Sequence, residues 1–255
     1  MELKFIQNQP ALVFNKNLVI ADIHLGLEYE LYKSGINVPS QTEKMKKKID
    51  QLIKKTKPNR LIFLGDIKHQ IPGVSWQELK EVPEFFEHFS KKIETHIVLG
   101  NHDSEIPALV DNVKIHNTDG FRLEDAYIMH GHAWPKKEFL KCKYLITSHT
   151  HPLIEIKDKI GHRFVERVWV KAGFDLKGLQ GKYGKQIKKF PEIILMPAFN
   201  DLSGGAALNV ETRRRQRKTE ETFLGPITSL IDQKKTEIYL LNGTYLGRLE
   251  SLKQI

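Results

Sequence analysis

Short apolar runs separated by polar turns open the chain. LKFI (3–6), ALVF (11–14) and LVIA (18–21) read as strands, and Asn15-Lys16-Asn17 has the composition of a tight turn between the second and third. A loop with Gly35 and Pro39 follows. Ser40-Gln-Thr-Glu43 has the spacing of a capping box, opening a helix with Met45, Ile49, Leu52 and Ile53 on one face, and Pro58 closes it. RLIFL (60–64) is a buried-strand pattern. Ser75-Trp-Gln-Glu78 is a second capping box, for a helix carrying Leu79, Phe85, Phe86 and Phe89 that Pro83 is expected to kink or split. HIVL (96–99), AYIM (126–129) and YLIT (144–147) are further strands.

After His151 the pattern is mostly strand: RFVERVWV, EIILMPA and the pair within EIYLLNGTYLGRL, where Asn242-Gly243 predicts a two-residue type I′ hairpin. Strands alternating with helices and then following one another predict an α/β sandwich with some antiparallel pairing. No repeat or low-complexity linker interrupts residues 1–255, which read as a single domain. ETRRRQRKTEE (211–221) stands out as one strongly charged loop.

Composition narrows the class. The 255 residues are 40% hydrophobic and 28% charged, and no apolar stretch approaches the length of a membrane span. MELKFIQNQP lacks the basic-then-apolar order of an export signal. Cys142 is the single cysteine, which excludes an internal disulfide and a multi-cysteine zinc site and points to the cytosol. The net charge of +9 favours polyanionic partners, though lysine-rich solvated faces give the same count.

The chemistry lies at the strand ends. LVIA is followed by Asp22 and His24, LIFLG by Asp66 and then His69, and IVLG by Asn101, His102 and Asp103. YIM is followed by His130 and His132, and LITS by His149 and His151. Ligands of α/β sheets bind beyond the carboxyl ends of strands, so these loops are expected to meet at one rim. Histidine, aspartate and asparagine without cysteine suit Mn, Fe or Zn, with Mg compatible. So many donors exceed the needs of one ion. A carboxylate shared between two ions ~3.5–4 Å apart makes a clamp for phosphoryl transfer.

The ordered set D-x-H, G-D-x-x-H, G-N-H-D, H-G-H and S-H-T-H over residues 18–151 resembles the calcineurin-like metallophosphoesterase superfamily. The resemblance implies a four-layer α/β/β/α sandwich. It implies one metal on Asp22, His24, Asp66 and His151, and a second on Asp66, Asn101, His130 and His149. His102 would stand beside the scissile phosphate as proton donor, oriented by Asp103. Gly-Asp-Ile-Lys-His departs from relatives that carry Asp or Asn at the place of His69, so His69 is expected to reach substrate or a neighbouring group. Ser148 stands where Gly is usual. ADIHLGLE, LGDIKH, HGHAWP and PAFNDLSGG (197–205) are similar to stand-alone ICC-like phosphoesterases related to SbcD nucleases. That narrower likeness implies a manganese-dependent DNA phosphodiesterase with a role in repair and a helicase partner. The capping domain and helical dock of the full SbcD nucleases are not evident.

Other features divide between function and packing. His132 reads as a residue behind a ligand or on the surface, and His88, His96, His116 and His162 as structural. The lysines of residues 44–55 read as a solvated helix face. Arg213, Arg214 and Arg215 read equally as phosphate contacts or as a solvated loop. Gly204-Gly205 marks a tight turn or a close backbone approach, and Trp134 a base-stacking or a packing ring. Two rival functions remain: a small-molecule phosphatase or cyclic-nucleotide phosphodiesterase, and a non-catalytic scaffold on the same fold. Retention of His102 and all seven presumed ligands argues against the scaffold. The sequence carries no signal for the oligomeric state.

Overall fold

In the computed structural model, which describes residues 2–210 and 223–253, the strands form two packed sheets. The first has the order β1 (Leu3–Phe5), β2 (Ala11–Phe14), β3 (Asn17–Ala21), β4 (Arg60–Leu64), β5 (Glu94–Val98), β6 (Lys114–His116). Its first three strands are antiparallel and β3 to β6 run parallel. Asn15 and Lys16 both take positive φ in the β2–β3 turn, and Asn17 Nδ2 donates to the Phe14 carbonyl at 2.9 Å.

The second sheet contains β7 (Phe121–Leu123), β8 (Ala126–Ile128), β9 (Tyr144–Thr147), β10 (Pro152–Lys157), β11 (Arg163–Ala172), β12 (Glu192–Leu195) and β13 (Ala206–Ala207). Their order is β13-β10-β11-β12-β9-β8-β7, with β14 (Glu237–Leu240) paired to β11 and β15 (Tyr245–Arg248) to β14.

Side-chain alternation explains why the central strands are apolar throughout. Leu18, Ile20, Leu61, Phe63 and Ile97 point away from the second sheet, into a core shared with Met45, Ile49 and Leu52 of one helix and Phe85, Phe86 and Phe89 of another. Val19, Ala21, Ile62, Leu64 and Val98 point the other way and meet Ala126, Ile128, Ile146 and Ile194 between the sheets. Tyr127, Leu145, Ile193 and Leu195 then face a third core with Phe139, Leu179 and Ile227. Three cores separate four layers, the expected α/β/β/α sandwich, and strands buried on both faces need no polar alternation.

The helices are α1 (Leu27–Lys33), α2 (Thr42–Thr56), α3 (Trp76–Ser90), α4 (Ile106–Leu109), α5 (Leu176–Tyr183) and α6 (Leu249–Leu252). Several expectations need correction. Helix α1 occupies residues read as the start of a loop. The Ser40–Glu43 capping box does not form: Ser40 Oγ donates to Glu81 at 3.1 Å, and the Gln41 N–H goes to Glu28 at 2.7 Å. The Ser75–Glu78 box does form. Helix α3 runs unbroken through Pro83, and Leu79 is 46% exposed rather than core. The carbonyl of Leu79, which Pro83 cannot serve, therefore lies on the solvent side. The final hairpin closes with a three-residue loop, Leu240 N–H donating to the Thr244 carbonyl at 2.9 Å. Gly243 has positive φ and Asn242 does not, which rules out type I′. Among the described residues no helix is long and apolar enough to cross a membrane.

Candidate metal centre

The candidate residues come from the ends of five strands in two sheets. β3, β4 and β5 of the first supply Asp22, His24, Asp66, Asn101 and His102; β8 and β9 of the second supply His130, His149 and His151. The rim is thus shared across the sandwich. Asp22, His24, Asp66, His149 and His151 all have φ between 41° and 69°. Left-handed backbone at a non-glycine residue costs about 1–3 kcal/mol and persists only where the surroundings impose it. Here the loops brace one another. His24 N–H donates to the Asp66 carbonyl at 2.9 Å, Leu25 N–H to Ile67 at 2.8 Å, and Ser148 N–H to His130 at 2.9 Å.

Two sets of donor atoms converge, each within 4.8 Å: Asp22, His24, Asp66 and His151, and Asp66, His130 and His149. Asp66 belongs to both, and its Oδ2 lies 3.5 Å from His130 Nε2, 3.7 Å from His24 Nε2 and 3.9 Å from His102 Nε2. Asp22 Oδ1 sits 3.0 Å from His130 Nε2 and accepts from Ser148 Oγ at 3.3 Å. Asp22 Oδ2 is buried without a well-formed hydrogen bond, its nearest donor being His151 Nε2 at 3.5 Å. A buried carboxylate oxygen left unsatisfied is costly, and a cation at that oxygen removes the cost. The imidazole and carboxylate donors fit divalent ions of the Mn, Fe and Zn type.

Electrostatics divides the cluster histidines into two kinds. Burial lowers His24 to about 3 and His149 to about 4, which keeps both rings neutral and able to act as ligands. Burial also pulls His151 down, but the Asp22 carboxylate more than reverses this, to about 9. His130 is raised in the same way, by Asp66 and Asp22 against its own burial. Burial pushes Asp22 upward, yet His151 and His130 hold it well below the usual carboxylate range.

The outer nitrogens of three of the four cluster histidines are tied as metal ligands require. His151 Nδ1 donates to the Gly204 carbonyl at 3.0 Å, His24 Nδ1 meets His69 Nδ1 at 3.3 Å, and His130 Nδ1 meets His132 Nδ1 at 2.9 Å. His132 thus stands behind His130. His69 forms a third group of candidate donors with His24 and His102.

Asp103 does not orient the His102 ring. Its carboxylate accepts main-chain N–H groups of Ile67 and Gly100, both at 2.8 Å, because residues 67 and 100 close over it. Burial and the neighbouring Asp66 raise it to about 7. The ring of His102 is held instead by its Nδ1–H, which donates to the His69 carbonyl at 2.6 Å.

Glu78 and Asn200 also have positioning roles that the capping box and the motif alone do not announce. Glu78 caps α3, but its buried carboxylate also accepts the N–H groups of His69 (2.8 Å) and Gln70 (2.7 Å). Asn200 Nδ2 donates to the carbonyls of Ile23 (3.0 Å) and His24 (3.3 Å). The motif PAFNDLSGG was the signal for Asn200; nothing local marked the reach of Glu78.

A cleft of about 740 Å³ opens over the cluster, lined by His24, Asp66, His69, Asn101, His102, His149 and His151 with Glu155, Ser203, Gly204, Gly205 and others. A Cβ on Gly205 would come within 2.0 Å of the His151 carbonyl, so this glycine serves a close approach. Trp134 is 37% exposed, with the Lys182 ammonium 4.2 Å above its ring, and does not line the cleft. Arg213, Arg214 and Arg215 lie outside the described residues.

A family model of the calcineurin-like phosphoesterases matches residues 16–178, well over half the chain and every strand-end candidate. The chain belongs to the calcineurin-like phosphoesterase family. It is accordingly a metal-dependent hydrolase of phosphoesters. Among solved structures, the Pseudomonas putida nuclease MPE is similar over 80% of this chain and 88% of its own, with 18% identity and a TM-score of 0.50, which speaks for the fold. The phosphoesterase YfcE from E. coli is similar over 56% of this chain and 73% of its own, with 21% identity and a TM-score of 0.36. No curated protein matches the sequence.

Proposed function

We propose that this calcineurin-like phosphoesterase is a manganese-dependent phosphodiesterase that hydrolyses nucleic-acid strands. The observation that carries the reading is the Asp66 carboxylate, common to two clusters of donors, with His102 at its edge. Asp22, His24, Asp66 and His151 would hold one ion, and Asp66, Asn101, His130 and His149 the other. Two divalent ions there supply Lewis acidity toward phosphate oxygens and a water nucleophile at neutral pH.

The protein's own part is positional and protonic. His102 keeps a proton on Nδ1 through the His69 carbonyl. When protonated, the ring can therefore give up only its Nε2 proton, here to the leaving oxygen. It then relaxes to the neutral tautomer that the carbonyl already accepts. Such general-acid assistance contributes ~10²–10⁴-fold. The net charge of +9 supports a polyanionic substrate. The single cysteine, free and buried, supports a reducing compartment, the cytosol. A role in DNA repair with a helicase partner rests on the sequence resemblance and is tested by co-purification.

One observation favours a small-molecule phosphoesterase: the described lining of the cleft holds Glu155 and Asp66 but no lysine or arginine. Metal-stripped protein reloaded with Mn, Mg or Zn separates the readings. Cleavage of labelled DNA and bis-p-nitrophenyl phosphate that is lost in His102→Ala supports the phosphodiesterase. Turnover of p-nitrophenyl phosphate with intact DNA sinks it.

A further inference from the structure

The lysines of α2 read as a solvated face, but two of them converge on a single carboxylate. Lys44 Nζ lies 3.2 Å from Asp201 Oδ2, Lys48 Nζ 3.6 Å from Oδ1, and Arg167 Nη2 3.0 Å from the same Oδ1. Among the described residues none of the three cations pairs with any other carboxylate, so two positive charges are in surplus. Lys44 is largely solvated, but the side chains of Lys48 and Arg167 are only 22% and 25% exposed, with Lys48 Nζ 4.5 Å above the Phe199 ring and Arg167 Nη1 donating to the Ala198 carbonyl at 3.1 Å. Burial and the charges of Arg167 and Lys44 together lower the Lys48 ammonium against the pull of Asp201. A cluster that retains uncompensated charge where water is scarce calls for an anion.

Its place in the fold indicates which one. Asp201 follows Asn200, whose side chain grips the loop carrying His24. Two residues on, Ser203 begins the stretch Ser203–Gly205 that lines the cleft, and the Gly204 carbonyl holds His151. The cations are therefore tied to the loop that lines a cleft whose described lining has no lysine or arginine. Lys44, Lys48, Phe199, Asn200 and Asp201 line a depression of only about 10 Å³ there, so a phosphate would rest on the surface over these cations rather than inside a cavity.

We propose that Lys44, Lys48 and Arg167 form a subsite for a backbone phosphate of a nucleic-acid strand whose scissile phosphate occupies the metal centre. The inference rests on the nucleic-acid reading above. It also reconciles a cleft whose described lining holds no lysine or arginine with a polyanionic substrate: the metal centre takes the reacting phosphate, and the Asp201 cluster takes a neighbouring one. The lysines offer phosphate point charges, Arg167 adds positive charge beside them, and Asp201 keeps the three from dispersing.

The test is the double variant Lys44→Glu/Lys48→Gln in the Mn-loaded protein, with bis-p-nitrophenyl phosphate and a labelled single-stranded oligonucleotide as substrates. The small diester should be turned over as by the unaltered protein. The KM for the oligonucleotide should rise about tenfold at low salt, and the slope of log kcat/KM against log salt should become shallower by about 1. Lys44→Arg, which keeps the charge, should retain the original KM. Unchanged oligonucleotide KM and salt slope would overturn the subsite and leave the nuclease reading standing. An equal loss on both substrates would also overturn it, since the residues would then only brace the loop. An unaltered protein that hydrolyses the small diester but leaves the oligonucleotide intact would overturn the nucleic-acid reading itself.

Discussion

The imidazole of His102 is held by the main chain of His69: the Nδ1–H of the first donates to the carbonyl of the second across 2.6 Å. The side chain of His69 does something separate, meeting His24 at 3.3 Å between Nδ1 atoms. Backbone and side chain of one residue thus hold the His102 ring and the candidate ligand His24 independently. Substitution can separate them. His69→Leu leaves the carbonyl in place and removes the partner of His24. We expect metal affinity to fall ~10–100-fold with kcat at saturating Mn within about fivefold of the original. A metal titration read alongside initial rates checks this; unchanged affinity with collapsed kcat would place the side chain on substrate instead.

Glu78 fastens the His69 loop to the start of α3. Its buried carboxylate accepts Ser75 N–H at 2.6 Å and Ser75 Oγ at 2.8 Å besides the two loop amides. Glu78→Ala strands four donors and should cost about 3 kcal/mol or more in urea unfolding. The adjacent Leu79→Ala, at an exposed position, should stay within about 0.5 kcal/mol.

The glycine pair in PAFNDLSGG offers a matched test of close approach. A Cβ at Gly205 meets the His151 carbonyl, whereas a Cβ at Gly204 meets nothing within 4 Å. Gly205→Ala should push the loop off His151 and weaken binding of Mn. Gly204→Ala should bind Mn as the unaltered protein does, and equal effects would contradict the assigned contact.

Acid stability should carry a contribution remote from the metal centre. His116 stacks on Phe121 at 3.7 Å between ring centroids and lies 3.1 Å from His96, and burial lowers it to about 4. A histidine binding fewer protons folded than unfolded stabilises the fold fully above about 6.5, and that stability drains away as pH falls toward 4. His116→Gln should flatten the decline of unfolding free energy across this window. An unaltered slope would show that His116 does not contribute.

The strands were legible because both faces of each central strand are buried, so apolar runs needed no arbitration. The ligand order was legible because each cluster directly follows such a run. What escaped the sequence was set by partners distant along the chain. Ser40 spends its hydroxyl on Glu81, Leu79 falls on the solvent side of an amphipathic helix, and Asp103 is claimed by the amides of Ile67 and Gly100. Helix α1, seven residues long and capped by Gly26 in a left-handed conformation, lacks the length and capping residue that mark a helix. The division of five strand ends between two sheets depends on pairings that periodicity does not encode.

The central claim is that Asp66 joins two ions in one phosphodiesterase centre. Its most direct measurement is the stoichiometry of Mn bound at equilibrium by metal-stripped protein, with diester hydrolysis followed on the same samples, for the unaltered chain and Asp66→Asn. The account predicts two ions per chain and cleavage for the unaltered protein. It predicts one ion or fewer and no cleavage for Asp66→Asn, with the fold intact by circular dichroism. Two ions and undiminished cleavage in Asp66→Asn would contradict it.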